Sequence, residues 1–146
     1  MINKEDLIYS AGVIDCDGHI IVRYFKAKDR YSIAAGVTNT RRKLLDFFKN
    51  KFGGSICIRE SKNPKHKTRY DWYISEKSAF AFIEAIMPYL KIKKDQAKTA
   101  IEFKNLVGTQ GLKQSTENQQ KRIQLYSKSR ILNARGGSNY ALQQFA

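Results

Sequence analysis

Apolar positions along the chain repeat with two periods, and the switches between them mark out the elements. Leu7, Ala11 and Ile14 recur every three or four residues on one helical face, while Ile8, Gly12 and Asp15 share the neighbouring face. This predicts a helix packed on two sides. It starts after Asn3 as N-cap, carries Glu5 and Asp6 where the helix dipole favours acids, and ends near residues 15–18. Glycine inside a helix costs propensity, so Gly12 points to close approach by another backbone. The period then falls to two. HIIVRYFKAK (19–28) and YSIAAGVTN (31–39), β-branched and aromatic, predict a hairpin across KDR. TRRKLLDFFKNKFGG (40–54) returns to the helical period, with Leu44, Leu45, Phe48 and Phe52 as its stripe and a Gly-Gly stop.

SICIRE (55–60) and RYDWYI (69–74) predict a second hairpin across the basic loop SKNPKHKT. SEKSAFAFIEAIMPYL (75–90) is helical, with Ser75 as a weak cap, and stops at Pro88. KIKKDQAKTAIEFKNLV (91–107) follows as a further helix. After the breaker GTQG comes a polar-surfaced helix over 115–135, then a Gly-Gly hinge and a tail.

The order α-β-β-α-β-β-α, with one or two C-terminal helices, predicts an α+β fold whose four-stranded antiparallel sheet carries helices on one face. Residues 1–107 form the expected core, and 108–146 a C-terminal helical extension and tail of the same domain. Alternation places Arg23, Phe25, Arg30, Ser32, Asp71 and Tyr73 together on the other face, which is expected to be polar and solvent-facing. A basic, curved sheet can enter a DNA major groove; an ordinary solvated face would carry the same residues.

Charge sharpens that choice. The chain has 27 Lys+Arg against 13 Asp+Glu, a net +14, yet residues 1–20 sum to −3, residues 21–74 to +10 and residues 75–146 to +7. An acidic patch inside a basic field suits a polyanion held around a metal, since phosphates need cations and divalent metals need carboxylates. An acidic helix start on a merely basic protein fits the charge equally well. At 146 residues, one domain with a real core is expected. Cys16 and Cys57 show no metal-ligand spacing, which suits an intracellular, reducing compartment (cytoplasm or organelle matrix) and argues against zinc or a disulfide scaffold. The polar start MINKEDLIYS does not fit a signal peptide. The best apolar stretch, SAFAFIEAIM, is broken by Glu84, so no membrane partner is expected.

SAGVIDCDG (10–18) resembles the motif that names the LAGLIDADG homing endonucleases. Ala11, Gly12, Ile14, Asp15, Asp17 and Gly18 match, Val13 replaces leucine, and Ser10 and Cys16 depart where a small or apolar residue fits. PYLKIKKDQA (88–97) is similar to the family's segment around its active-site lysine, and the resemblance spans residues 5–107. It implies motif helices paired through an interface of Ile8, Ala11, Gly12 and Asp15, their acidic ends meeting below the DNA. Asp17 is then a metal-binding carboxylate and the Cys16 carbonyl a further ligand to Mg²⁺ (or Mn²⁺). Lys93 is the active-site lysine, Asn39 a water-organising side chain, and Arg41 or Arg42 a contact to the scissile phosphate. His19 and His66 have no partner pattern and are assigned no catalytic part.

The sheet face is expected to read bases, and Lys65, Lys67 and Arg69 to hold phosphates. One visible motif implies a homodimer on a near-palindromic double-stranded DNA target. The function implied is that of an intron-encoded, site-specific, metal-dependent endonuclease. A maturase binding host intron RNA and a non-catalytic DNA-binding regulator are the alternatives, and the retained Asp17 and Lys93 favour cleavage.

Overall fold

The computed structural model describes residues 1–107 and 115–134; the breaker at 108–111, the hinge and the tail lie outside them. Helix α1 (Lys4–Asp17) starts as its sequence dictates. The Asn3 side chain accepts from the Asp6 amide at 2.8 Å, and the Asp6 carboxylate accepts from the Asn3 amide at 3.1 Å, a reciprocal capping box. Strand β1 (Gly18–Phe25), a short 3-10 turn and β2 (Arg30–Asn39) form the first hairpin; α2 (Arg42–Phe52) follows. Strands β3 (Ser55–Arg59) and β4 (Arg69–Ser75) form the second hairpin, and α3 (Glu76–Ile86), α4 (Lys94–Val107) and α5 (Thr116–Leu132) follow.

The four strands make one antiparallel sheet in the order β1-β2-β4-β3, confirming the expected α+β fold. Two helices are shorter than periodicity suggests. The stretch 75–90 gives way after Ile86 to a 3-10 turn around Pro88, because proline lacks the amide that would continue the ladder. Residues 91–93 stay outside α4 because they are bonded to the end of α1, as described below. Ser75 makes no side-chain cap bond.

The core lies between the sheet and the helices. Trp72 of β4 sits at its centre, with ring centroids 4.7 Å from Phe48 of α2 and 5.4 Å from Phe82 of α3. Its indole N–H donates to the Gly53 carbonyl at 2.8 Å, so this polar atom is buried satisfied. At the other end of the sheet, Tyr31 packs 5.5 Å from both Phe103 of α4 and Tyr126 of α5.

Helix α5 runs along the outer edge of β1. Its Ser129 hydroxyl accepts from the Val22 amide at 2.9 Å, and Asn133 Nδ2 donates to the Ile20 carbonyl at 3.0 Å. These two bonds occupy backbone groups that an edge strand otherwise leaves open.

Asp6 also ties α1 to α2, with its carboxylate 2.9 Å from Lys51 Nζ. That hydrogen bond, and the one from the Asn3 amide, hold the carboxyl below its usual range. A depressed carboxyl contributes stability above its unfolded pKa of about 3.9 and loses it as pH falls through the folded value. Asp6→Asn should therefore melt at a lower temperature than wild type at pH 7. In thermal scans across pH the gap should close below about pH 4.

Candidate active site and nucleic-acid interface

Asp17 is the last residue of α1, and the chain turns directly into β1 at Gly18. A Cβ on Gly18 would lie 2.6 Å from the Ile14 backbone, so only glycine allows a turn this tight. The turn leaves Asp17 exposed at the end of the sheet, beside the last residue of β2. There Asn39 Nδ2 donates to Asp17 Oδ2 at 2.9 Å, and Asn39 Oδ1 accepts from the Arg41 amide at 2.9 Å. Asn39 thus fixes the carboxylate against the start of α2. The other oxygen of Asp17 accepts no hydrogen bond among the described residues.

Lys93 comes from the segment before α4. Its ammonium donates to the carbonyls of Ile14 at 2.8 Å and Asp15 at 3.0 Å. In return the Asp15 carboxylate accepts from the amides of Lys91 at 2.7 Å and Lys93 at 2.9 Å. A cation here satisfies carbonyls that a helix end leaves unpaired and complements its dipole. Burial lowers the pKa of the ammonium, opposed by the negative charges of Asp15 and Asp17. Two of its three N–H groups go to carbonyls, which leaves one for a substrate or water. Cys16 is exposed. Arg41 is exposed at the start of α2, while Arg42 lies 3.6 Å from Asp46 and over the Tyr70 ring.

The strand register establishes which side chains share the helix-free face. Arg23 is opposite Ser32, Phe25 opposite Arg30, Gly36 opposite Tyr73 and Thr38 opposite Asp71, so all six expected residues lie together. Ser32 corrects one expectation: only 3% of it is exposed, so it belongs to a buried strip with Ala34 and Gly36 rather than to the solvated surface. His19 lies across Gly36, where an added Cβ would come within 2.6 Å of the imidazole. Burial lowers the pKa of that ring, helped by the nearby Arg23 charge.

Asp71 is not a free acceptor. Thr38 Oγ1 donates to it at 2.7 Å, and Arg59 Nε donates to its other oxygen. Arg59, unassigned by sequence reasoning, is thereby aimed from β3. Its place opposite Arg69 across the second hairpin puts it on the same face as Arg69 and Asp71. Lys65, Lys67 and Arg69 line a basic hollow of about 530 Å³ with Arg59, His66 and Thr40.

The expected interface residues divide. Ala11 is wholly buried in the chain's own core and is no part of an open interface, and Asp15 spends its carboxylate on the 91–93 segment. Ile8 and Gly12 do face outward, and a Cβ on Gly12 would meet nothing within 4 Å. Close packing inside this chain therefore does not require glycine there. Tyr9 and Ile92, 52% and 71% exposed, are large apolar side chains that sequence reasoning missed. Among the described residues no three His, Cys, Asp or Glu side chains could together hold a metal. One chain offers a hard-oxygen cation a single carboxylate, half-occupied by Asn39, and the adjacent carbonyl. That donor set fits the oxygen preference of Mg²⁺ but supplies only part of the shell such an ion needs.

A single LAGLIDADG-type motif helix running into a four-stranded antiparallel sheet, with a lysine on the helix end, resembles the arrangement of the LAGLIDADG homing endonucleases, and the chain has their fold. No family model matches the sequence. Over 110 residues it is 33% identical to the DNA endonuclease I-CreI of Chlamydomonas reinhardtii, covering 69% of this chain and 63% of that relative, so it spans a little under two thirds of I-CreI's length. A crystal structure of the homing endonuclease I-CvuI with its target in the presence of Ca superposes with a TM-score of 0.73 at 18% identity, over 90% of this chain and 84% of that one. The archaeal intron-encoded homing endonuclease I-Vdi141I, complexed with DNA, gives 0.72 at 18% identity, over 96% and 91%. No helix among the described residues is long and apolar enough to cross a membrane.

Because Lys93 closes the end of α1, replacing it removes two charge-assisted hydrogen bonds. Lys93→Met should cost about 1–3 kcal/mol in urea unfolding, whatever it does to activity.

Proposed function

We propose that the chain is a site-specific endonuclease of double-stranded DNA that works as a homodimer on a near-palindromic target. The observation that carries this reading is the set of three side chains at one end of the sheet. Asp17 is presented to solvent, held by Asn39 at 2.9 Å, at the helix end that Lys93 closes. Neither an RNA-folding role nor a purely DNA-binding one needs that arrangement, so it favours cleavage over both alternatives.

Asp17 and the Cys16 carbonyl would hold a divalent ion, Mg²⁺ or Mn²⁺. Such an ion, when bound, lowers the pKa of an attacking water and neutralises the leaving oxygen. Asn39 keeps one carboxylate oxygen occupied and leaves the other for the ion. The remaining N–H of Lys93 stabilises charge on the reacting phosphate or positions water, and Arg41 holds the same phosphate. Arg23, Phe25, Arg30, Tyr73 and the Asp71-oriented Arg59 read base edges, and Lys65, Lys67 and Arg69 contact phosphates. Two chains meet through Ile8 and Gly12, with Tyr9 and Ile92 beside them, and this brings the two Asp17 carboxylates together. Residues 1–107 are the endonuclease core and α5 an extension anchored on β1. A reducing intracellular compartment suits the two exposed thiols.

Asp17→Asn keeps size and loses charge. In Mg²⁺ it should slow cleavage of a target library by at least about a thousandfold, several kcal/mol of barrier, while DNA binding survives. Wild-type protein in Ca²⁺ should bind and not cut. Wild-type rates from Asp17→Asn would place the metal elsewhere.

Gly12→Leu should force the two helices apart and give monomers by sedimentation, with weakened DNA binding. Wild-type protein sedimenting as a monomer both alone and on DNA would remove the homodimer from the proposal.

A further inference from the structure

Glu76 stands apart from the Asp17 centre, at the step from β4 to α3. Its φ of 56° is left-handed, a conformation that few residues other than glycine adopt without cost. The preceding Ser75 does not cap α3, so the strain is not explained by a helix start.

The side chain supplies the explanation. Pairing between β2 and β4 ends at Ala34 and Ser75, so residues 30–33 of β2 continue with only β1 beside them. The left-handed turn sends the main chain away from the sheet and leaves the Glu76 carboxylate in the gap. There Oε1 accepts from Arg30 Nη2 at 2.8 Å and Lys104 Nζ lies 3.9 Å from Oε2, while the buried Ser32 hydroxyl donates to the Ile33 carbonyl. Burial works to raise this carboxyl, but the nearby Ser32 hydroxyl, the bond from Arg30 and the charges of Arg30 and Lys104 outweigh it. The group is therefore an anion at neutral pH.

Arg30 is half exposed on the helix-free face, opposite Phe25. Unheld, a long side chain at the end of a two-stranded ribbon would sample many rotamers. Bonded to Glu76 through one terminal nitrogen, its guanidinium keeps further donors for an outside acceptor. A planar fork fixed on a sheet face that enters the major groove matches the O6 and N7 of guanine.

We propose that Glu76 is a positioning residue for DNA recognition, holding Arg30 to read one guanine in the outer part of each half-site. The position of that base follows from the strand. Gly18, next to Asp17, and Phe25, opposite Arg30, are the two ends of β1. At about 3.3 Å per residue this is roughly 23 Å, or about six or seven base-pair steps from the scissile phosphate. The inference rests on the DNA-endonuclease reading above.

The test begins with selection from randomised duplexes in Ca²⁺, which gives the site wild-type protein prefers. Competition binding on single-base variants of that site then compares wild type, Arg30→Ala, Glu76→Gln and Lys104→Met. Arg30→Ala should lose preference at one outer position per half-site. Glu76→Gln should cut discrimination at that same position by about tenfold, the low end of what one arginine–guanine pair is worth, and leave the other positions alone. Lys104→Met should leave that position unchanged. A merely structural ion pair would lower the melting temperature of Glu76→Gln without moving any single-base preference, and that result overturns the proposal. Loss spread evenly over all positions overturns it too. Should Glu76→Gln fail to fold, Glu76→Asn, which tolerates left-handed backbone, carries the same expectation. Arg30→Lys, which keeps the charge but not the fork, should also lose the guanine preference with the fold intact. Wild-type protein with no sequence preference would sink the endonuclease reading and this inference together. Preference that Glu76→Gln leaves intact would sink this inference alone.

Discussion

The exchange of hydrogen bonds between the end of α1 and residues 91–93 is the constraint on which the rest of the site depends. A helix that stops at an exposed carboxylate has a poor electrostatic ending, since acids disfavour a C-terminus and the last carbonyls lack partners. Lys93 resolves both problems with one ammonium on the carbonyls of Ile14 and Asp15, and the Asp15 carboxylate fixes the loop that carries Lys93. The position of Asp17 and that of the Lys93 ammonium are therefore one geometric fact. Where that ammonium sits and how α1 ends cannot be altered separately here.

The sheet extends the same economy of parts. Two acids on or beside its helix-free face are each paired with an exposed cation: Asp71 with Arg59 and Glu76 with Arg30. Positive charge on this face is thus held in fixed directions rather than left to long flexible side chains. The acids lower the net positive field slightly, but they turn it from a diffuse attraction into an oriented one.

Much of this was legible in the sequence for simple reasons. Strict period-two alternation in 19–28 and 31–39 determined which residues share a face, and the register bears it out at Arg23, Phe25 and Arg30. The motif put Asp17 at the end of a helix, where the structure has it, and Lys93 bonds that same helix end. What stayed hidden depends on contacts distant in sequence. Ala11 lies on a helix face that periodicity cannot assign to its own core or to a partner's. Ser32 lies in the middle of a polar pattern, and nothing local marks its burial. Arg59 and Asp71 are 12 residues apart, and Arg30 and Glu76 are 46 apart, so neither pair leaves a local signature.

The bonds from Ser129 and Asn133 to β1 have a consequence in time as well as space. They join residues 107 and 113 positions apart, so the strand that carries Arg23 and Phe25 has an open outer edge until α5 has been synthesised and docked. A nascent chain that has already made both hairpins and the acidic helix end still exposes a row of unpaired amides and carbonyls. During that interval the chain is open to strand addition by a neighbour on the same messenger. Among the described residues, α5 is the element that closes this edge.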